Sequence, residues 1–186
     1  SCGCLARNVV QSNQDRQNHY EQYAALMEEH TRNTYFKIDM AGCRNFGEMM
    51  NMICRNLPLI GNFDRFYLCL TGIHDMNGIP SFQRELPAEA EAVLRWENGE
   101  CQKTQSDPFP RQELLPYTAQ ENGPVSYYFT MLHDRASTFG YTAVSFRRPE
   151  DGIGMFYFDW NLTIALTINE YFAHQRIQAL MQRNEK

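Results

Sequence analysis

Few side chains in this sequence stand in a pattern that chemistry requires. His74-Asp75 and His133-Asp134-Arg135 are the dense ionisable groups near strand ends, and a histidine beside an aspartate can act as an acid–base pair. Neighbours in a turn usually face solvent, which is the plainer reading of both. Cys2-x-Cys4 is the one close cysteine pair. A zinc site usually needs two such pairs, or a pair with histidine, and no partner motif accompanies it. No phosphate-cradling glycine loop, nucleophile elbow or paired-carboxylate motif occurs. No metal and no other cofactor is expected, and the chain reads as non-enzymatic.

The elements that must position any site are easier to read. Ser12-Asn-Gln-Asp15 has the spacing of a helix start. Tyr20, Tyr23, Ala24, Met27, His30 and Thr34 then recur at three- and four-residue steps, the stripe of an amphipathic helix over about residues 13–40. Gly42 and Gly47 mark a break. Phe46, Met49, Met50, Ile53 and Leu57 define a second helix, closed by Pro58.

Residues 64–71 alternate as a strand, with Phe66, Leu68 and Leu70 on one face and Arg65, Tyr67 and Cys69 on the other. Residues 72–90 are a loop. Asn98-Gly99 joins 89–97 to 100–105 as a hairpin, because a type I′ turn needs two positive φ angles. After 107–110 breaks the sheet, 111–115 form one helical turn, and 126–133 and 138–146 make a last hairpin. Helix, helix, strand, hairpin, connection, hairpin, helix is an α+β order: an antiparallel sheet with its N- and C-terminal helices packed on one side.

Between Phe158 and Phe172 the last helix is apolar on every side, with Trp160, Leu162, Ile164, Ala165, Leu166, Ile168 and Tyr171. Such a helix must be buried on every side. One face can pack on its own sheet; the other then needs a second protein surface. Ile177, Leu180 and Met181 continue as a narrow seam of coiled-coil width. Trp160, Ile164, Ile168, Tyr171, Ile177 and Leu180 are therefore expected to form a dimer and signalling helix. The plainer alternative is a core helix with a polar tail.

Leu132-His-Asp-Arg135 followed by Phe139-Gly-Tyr141-Thr-Ala-Val-Ser-Phe146 resembles the last hairpin of a GAF domain, and the helix with Tyr157, Phe158, Trp160 and Leu162 extends the likeness. It is similar to GAF-like modules of bacterial signalling proteins that also carry a lactose-repressor-like sugar-sensing domain and a diguanylate cyclase (GGDEF) or helix-turn-helix output domain. Ser1-Cys2-Gly3-Cys4 is similar to the end of such a sugar-sensing domain. The likeness is best over 125–186, and no GGDEF or helix-turn-helix pattern occurs in the chain itself. It implies residues 1–11 as a remnant or linker, 12–58 as N-terminal helices, 59–156 as the sheet core and 157–186 as the signalling helix. It also implies a homodimer and a covalently linked output domain.

A small-molecule pocket is implied between the sheet face and the loops 72–90 and 106–125. Its candidate lining is Tyr67, Cys69, His74, Trp96, Tyr127, Phe129, Met131 and His133, an aromatic wall with polar tips that suits a planar ligand. The plainer reading of the same residues is that they are ordinary core aromatics beneath the helices. In that case the chain is a passive dimerisation spacer with its pocket filled from within. A third function comes from a different class: some GAF-fold proteins reduce free methionine sulfoxide with cysteines, for which Cys69 and Cys101 stand in strands.

Bulk properties narrow the field. The chain has 186 residues, 43% hydrophobic and 13% aromatic, which suits one domain with helical extensions. A net charge of −5 and a pI near 5.5 argue against direct nucleic-acid binding, which needs a basic surface. No apolar run reaches the ~20 residues that span a bilayer. Cys54 in a helical pattern and Cys69 in an apolar strand read as small reduced hydrophobes, so a cytoplasmic setting is expected.

Overall fold

The computed structural model describes residues 2–71, 88–97, 99–102, 108–116, 125–133, 138–146, 148 and 153–184. Helix α1 runs unbroken from Cys2 to Ala41. That corrects the expected start at residue 13: no proline interrupts Cys2–Gln11, and Ser12–Asp15 lie inside the helix. Gly42 ends it, its N–H donating to the carbonyls of Ile38 and Asp39 at 3.1 and 3.2 Å. Helix α2 (Phe46–Ile60) is started by Asn45, whose Oδ1 accepts from the Glu48 N–H at 2.9 Å while the Glu48 carboxylate reaches back to the Arg44 N–H. This reciprocal arrangement satisfies two otherwise orphaned donors. Pro58 sits inside the last turn rather than ending the helix.

Six antiparallel strands follow: β1 (Phe63–Thr71), β2 (Glu89–Glu97), β3 (Glu100–Gln102), β4 (Phe109–Pro110), β5 (Tyr128–His133) and β6 (Thr138–Phe146). The sheet order is β3-β2-β1-β6-β5, with β4 pairing the start of β2. Helix α3 (Met155–Asn184) closes the chain. The α+β architecture with terminal helices is as the element order implies. Glu97 pairs with Glu100 at the end of the β2–β3 hairpin, where Gly99 takes φ +83°, a left-handed conformation open to glycine. Gly140 answers a different need: a Cβ there would lie 2.4 Å from the Cys69 carbonyl oxygen. Only glycine lets β6 approach β1 so closely at that point.

The sheet has two unlike faces. On one, Phe66, Leu68 and Leu70 of β1 and Leu94 and Trp96 of β2 pack with Phe36, Met40, Ile53, Leu57, Trp160, Ile164 and Ile168 in a single helix-covered core. On the other, Tyr67, Cys69, Ala90, Ala92, Tyr141 and Ala143 form a smaller cluster, capped by Phe109 and Leu115. A bulge in the β1–β2 register, where Leu68 faces Leu94 but Cys69 faces Ala92, lets Val93 and Leu94 both join the helix side.

α1 and α3 run in the same direction. Phe36 stacks near Trp160 at the start of α3, while Phe46, just past the end of α1, meets Tyr171 and Phe172 further along it. Asn33 and Lys37 both bond the Asp159 carboxylate, Lys37 at 2.7 Å. α1 buries Asn33, Phe36 and Met40 against the body, and every residue from Gln14 to Arg32 is exposed. The stripe of Tyr20, Tyr23, Ala24, Met27, His30 and Thr34 thus points away from the core, not into it.

Cys54 of α2 is disulfide-bonded to Cys101 of β3, and Cys43 and Cys69 are free thiols. This corrects the reading of Cys54 as a reduced core residue. Both half-cystines sit at the rim of the helix-side core, where α2 crosses the edge hairpin. A link across 47 residues limits the unfolded chain, worth about 4 kcal/mol by loop entropy alone. Cys101→Ser, or reduction, is expected to lower the unfolding free energy by about 2–4 kcal/mol in urea titrations while leaving the far-UV spectrum intact. An unchanged midpoint would show that the bond contributes nothing.

Candidate functional site

The sheet face turned away from α1, α2 and α3 holds the chemistry the sequence offers. Alternation along β1 sends Tyr67 and Cys69 to this side, and β6 adds Tyr141 and Ala143. The edge strand β5 adds Phe129, Met131 and His133, preceded by Tyr127. Ring contacts link Tyr67 to Tyr127 at 6.1 Å, Tyr127 to Phe129 at 6.4 Å and Phe129 to Tyr141 at 6.0 Å. An aromatic row therefore crosses β1, β6 and β5, as the strand pattern implies.

Tyr67 and Cys69 are fully buried, beneath a cap built from β4 and a short 3-10 turn, Arg111–Glu113. Leu114 closes that turn at φ +62°, a left-handed conformation that costs a leucine about 1–2 kcal/mol. Its carbonyl accepts the Tyr141 hydroxyl at 2.7 Å, which pins the strained residue and sets Leu115 over the cluster. Phe129 and Met131 stay 40% and 46% exposed, and His133 is exposed at the strand end.

A charged group lies at one end of this face. The Tyr67 hydroxyl donates to the Glu97 carboxylate, which also accepts from Arg95 at 2.6 Å. The Arg95 guanidinium lies 5.9 Å from the centre of the Tyr67 ring, and Arg65 donates to the Tyr127 hydroxyl at 3.2 Å. Burial pushes the Glu97 carboxyl up, but hydrogen bonds from Arg95 and Tyr67, with the positive charges of Arg95 and Arg65, outweigh it and hold Glu97 below its ordinary value. Burial first, then the bond to Glu97, raises the Tyr67 hydroxyl far above its ordinary value. The group is locked in one charge state near neutrality. It suits an orienting role rather than proton transfer.

Two sequence expectations are corrected here. Trp96 does not join the row: it pairs with Phe66 and packs on the helix side, because Phe66 and Trp96 share one sheet face. Cys101 is bound to Cys54 on that same side, so the Cys69/Cys101 pair needed for sulfoxide reduction does not form. Burial pushes the Cys69 thiol up to about 12, the opposite of an activated nucleophile. His74, with Asp75, Asp134 and Arg135, lies outside the described residues. The Arg65, Arg95 and Glu97 group was missed. Its signal was the alternation that puts Arg95 and Glu97 on one side of β2, next to Arg65 and Tyr67 of β1.

The helix named as the dimer surface is also corrected. Trp160, Ile164 and Ile168 are fully covered by their own chain, and Tyr171 packs half-buried against the same core. They face inward because the sheet and α1 wrap that side of α3. Ile177 and Leu180 are exposed, as are Phe158, Leu162 and Leu166 on the outer side. No helix among the described residues is long and apolar enough to cross a membrane. Nor do the described residues bring together three or more His, Cys, Asp or Glu side chains that could hold a metal ion.

Comparison of the chain with protein-family models, with curated proteins and with solved structures finds no match.

Two outcomes are expected. In the folded protein at pH 8, Cys69 resists a thiol reagent and reacts on unfolding; prompt labelling would reopen a redox role. Glu97 has a lowered folded pKa, so its stabilisation is present above the unfolded carboxylate value of about 4.3 and is lost as pH falls through the folded one. The stability gap between wild type and Glu97→Gln should therefore be widest near pH 7 and narrow steadily in acid. A gap constant with pH contradicts the assignment.

Proposed function

We propose that the chain is a non-enzymatic regulatory module of GAF-like kind, working as a homodimer and relaying a signal along its terminal helices to a linked output domain such as a diguanylate cyclase or transcription regulator. One observation carries this reading. α1 enters along one side of the body, α3 leaves in the same direction, and both project beyond it with apolar side chains in water: Tyr20 is 72% exposed and Tyr23 63%. An isolated helix of this composition is marginal in water, so α1 needs a partner over its projecting length. Parallel entry and exit is the arrangement that passes a shift of one helix to the next.

The input is proposed at the sheet face turned away from α1, α2 and α3, where Tyr127, Phe129 and Met131 are reachable and Tyr67 lies beneath them. A ligand there shifts the helices only by binding one of their arrangements more tightly than the other. The packing of Phe109 and Leu115 over Tyr67 and Cys69 favours a second reading, the passive dimerisation spacer. A cytoplasmic setting remains the proposal from the implied family, although the Cys54–Cys101 bond removes the argument that reduced cysteines lent it.

Sedimentation equilibrium at tens of micromolar is expected to give the mass of two chains, about 44 kDa on a chain mass of 21.8 kDa. A monomer at that concentration ends the relay reading. A thermal-shift screen with planar organic compounds separates the other two: a stabilising ligand whose effect is lost in Phe129→Ala supports the sensor, and no ligand supports the spacer.

A further inference from the structure

The outer side of α3 carries an order of its own. Phe158, Leu162 and Leu166 are 52%, 48% and 53% exposed, and the line continues through half-buried Asn169 and Ala173 to exposed Ile177. The steps are four, four and three residues; then Asn169, Ala173 and Ile177 repeat them, and Leu180 begins a third round. An eleven-residue repeat gives 3.67 residues per turn, close to the relaxed helix, so the line stays on one side with only a weak right-handed drift. α1 shows the same repeat on its side away from the core: Tyr20, Tyr23 and Met27 return eleven residues later as Thr31, Thr34 and Ile38.

We propose that a second copy of this chain seats on that face, the two α3 helices running parallel with Asn169 opposite its own counterpart. The inference rests on the dimeric reading above and specifies its surface. Three features favour a copy over a different protein. The line from Phe158 to Leu180 contains no charged residue, so a two-fold axis can set like against like without repulsion. Glu170 flanks it on one side and Arg176 on the other, and a parallel two-fold mate brings the acidic flank of one helix to the basic flank of the other. Asn169 is the one amide in an otherwise apolar line, and an amide at such a position pairs with its twin and fixes register.

The area is sufficient. Phe158, Leu162, Leu166, Ile177 and Leu180 of the α3 line, with Tyr20, Tyr23, Met27 and Ile38 of the α1 stripe, are 41–72% exposed. At roughly 100 Å² per side chain this is on the order of 900 Å² per chain, against about 800 Å² per partner in a standard interface.

The test uses the whole chain. Leu162→Glu/Leu166→Glu alters exposed positions only, and is expected to halve the sedimenting mass while near-UV dichroism stays native. In a background with Cys2, Cys4 and Cys43 changed to serine, Ala173→Cys is expected to form a disulfide-linked dimer on mild oxidation, because a parallel axis places residue 173 beside itself. A double variant that remains dimeric overturns the surface and leaves the dimeric reading standing. A monomeric wild type overturns both. A monomeric double variant with no Ala173→Cys cross-link overturns the parallel register.

Discussion

Everything in the helix layer is arranged around the indole of Trp160. It is fully buried where three elements meet, its ring 5.4 Å from Phe36 of α1, 5.6 Å from Phe66 of β1 and 6.2 Å from Tyr157 of α3. The indole N–H finds no partner among the described residues, a cost of about 1–3 kcal/mol. Removing about 200 Å² of aromatic surface from water gains roughly 5 kcal/mol and outweighs it. Asn33 and Lys37 clasp Asp159 one residue away, so the same point is held by a polar contact at its rim. α1 is fastened to the body at this junction, at Met40 and through the Arg32 guanidinium, which donates to the Leu59 carbonyl at 3.5 Å, and no residue from Gln14 to Arg32 is buried.

The strands were legible because their chemistry is local. Alternation over Phe63–Thr71 separates Phe66, Leu68 and Leu70 from Tyr67 and Cys69, and the structure keeps that division. Thr138–Phe146 and the β2–β3 hairpin were equally plain. Trp96 departs from the expected lining for a local reason too: parity along β2 sends it to the side of its register partner Phe66, which belongs to the helix side. A stripe on a helix is a different kind of signal. Tyr20, Tyr23 and Met27 reveal that α1 has an apolar side, but periodicity says nothing of what lies opposite. For α3 the difficulty is greater, since a helix apolar all round offers no direction, and only the packed sheet selects Trp160, Ile164 and Ile168 as inward.

The cysteines illustrate the limit of spacing. Cys54 and Cys101 are distant in sequence, and only the fold brings their Cα atoms to 5.8 Å. The site was legible in part for the same reason. Tyr67, Cys69, Tyr127 and Phe129 share a face by alternation, whereas the cap of Phe109 and Leu115 depends on a left-handed Leu114 that no residue preference announces.

The two faces of the sheet communicate through β6, whose Tyr141 and Ala143 look to the aromatic row while Thr142 and Val144 look to α3. Thr142 Oγ1 lies 2.8 Å from the Tyr157 hydroxyl and donates to Asn161 Oδ1 at 2.9 Å, a fully buried polar knot within an apolar contact. Rolling α3 about its own axis would strand three hydrogen-bonding groups away from water, at a penalty greasy packing alone never imposes. Sliding or tilting the helix together with its strand keeps the knot tied. The molecule is thereby stiff to torsion at this seam and compliant to translation, which makes α3 behave as a push-rod keyed to β6 instead of a free axle.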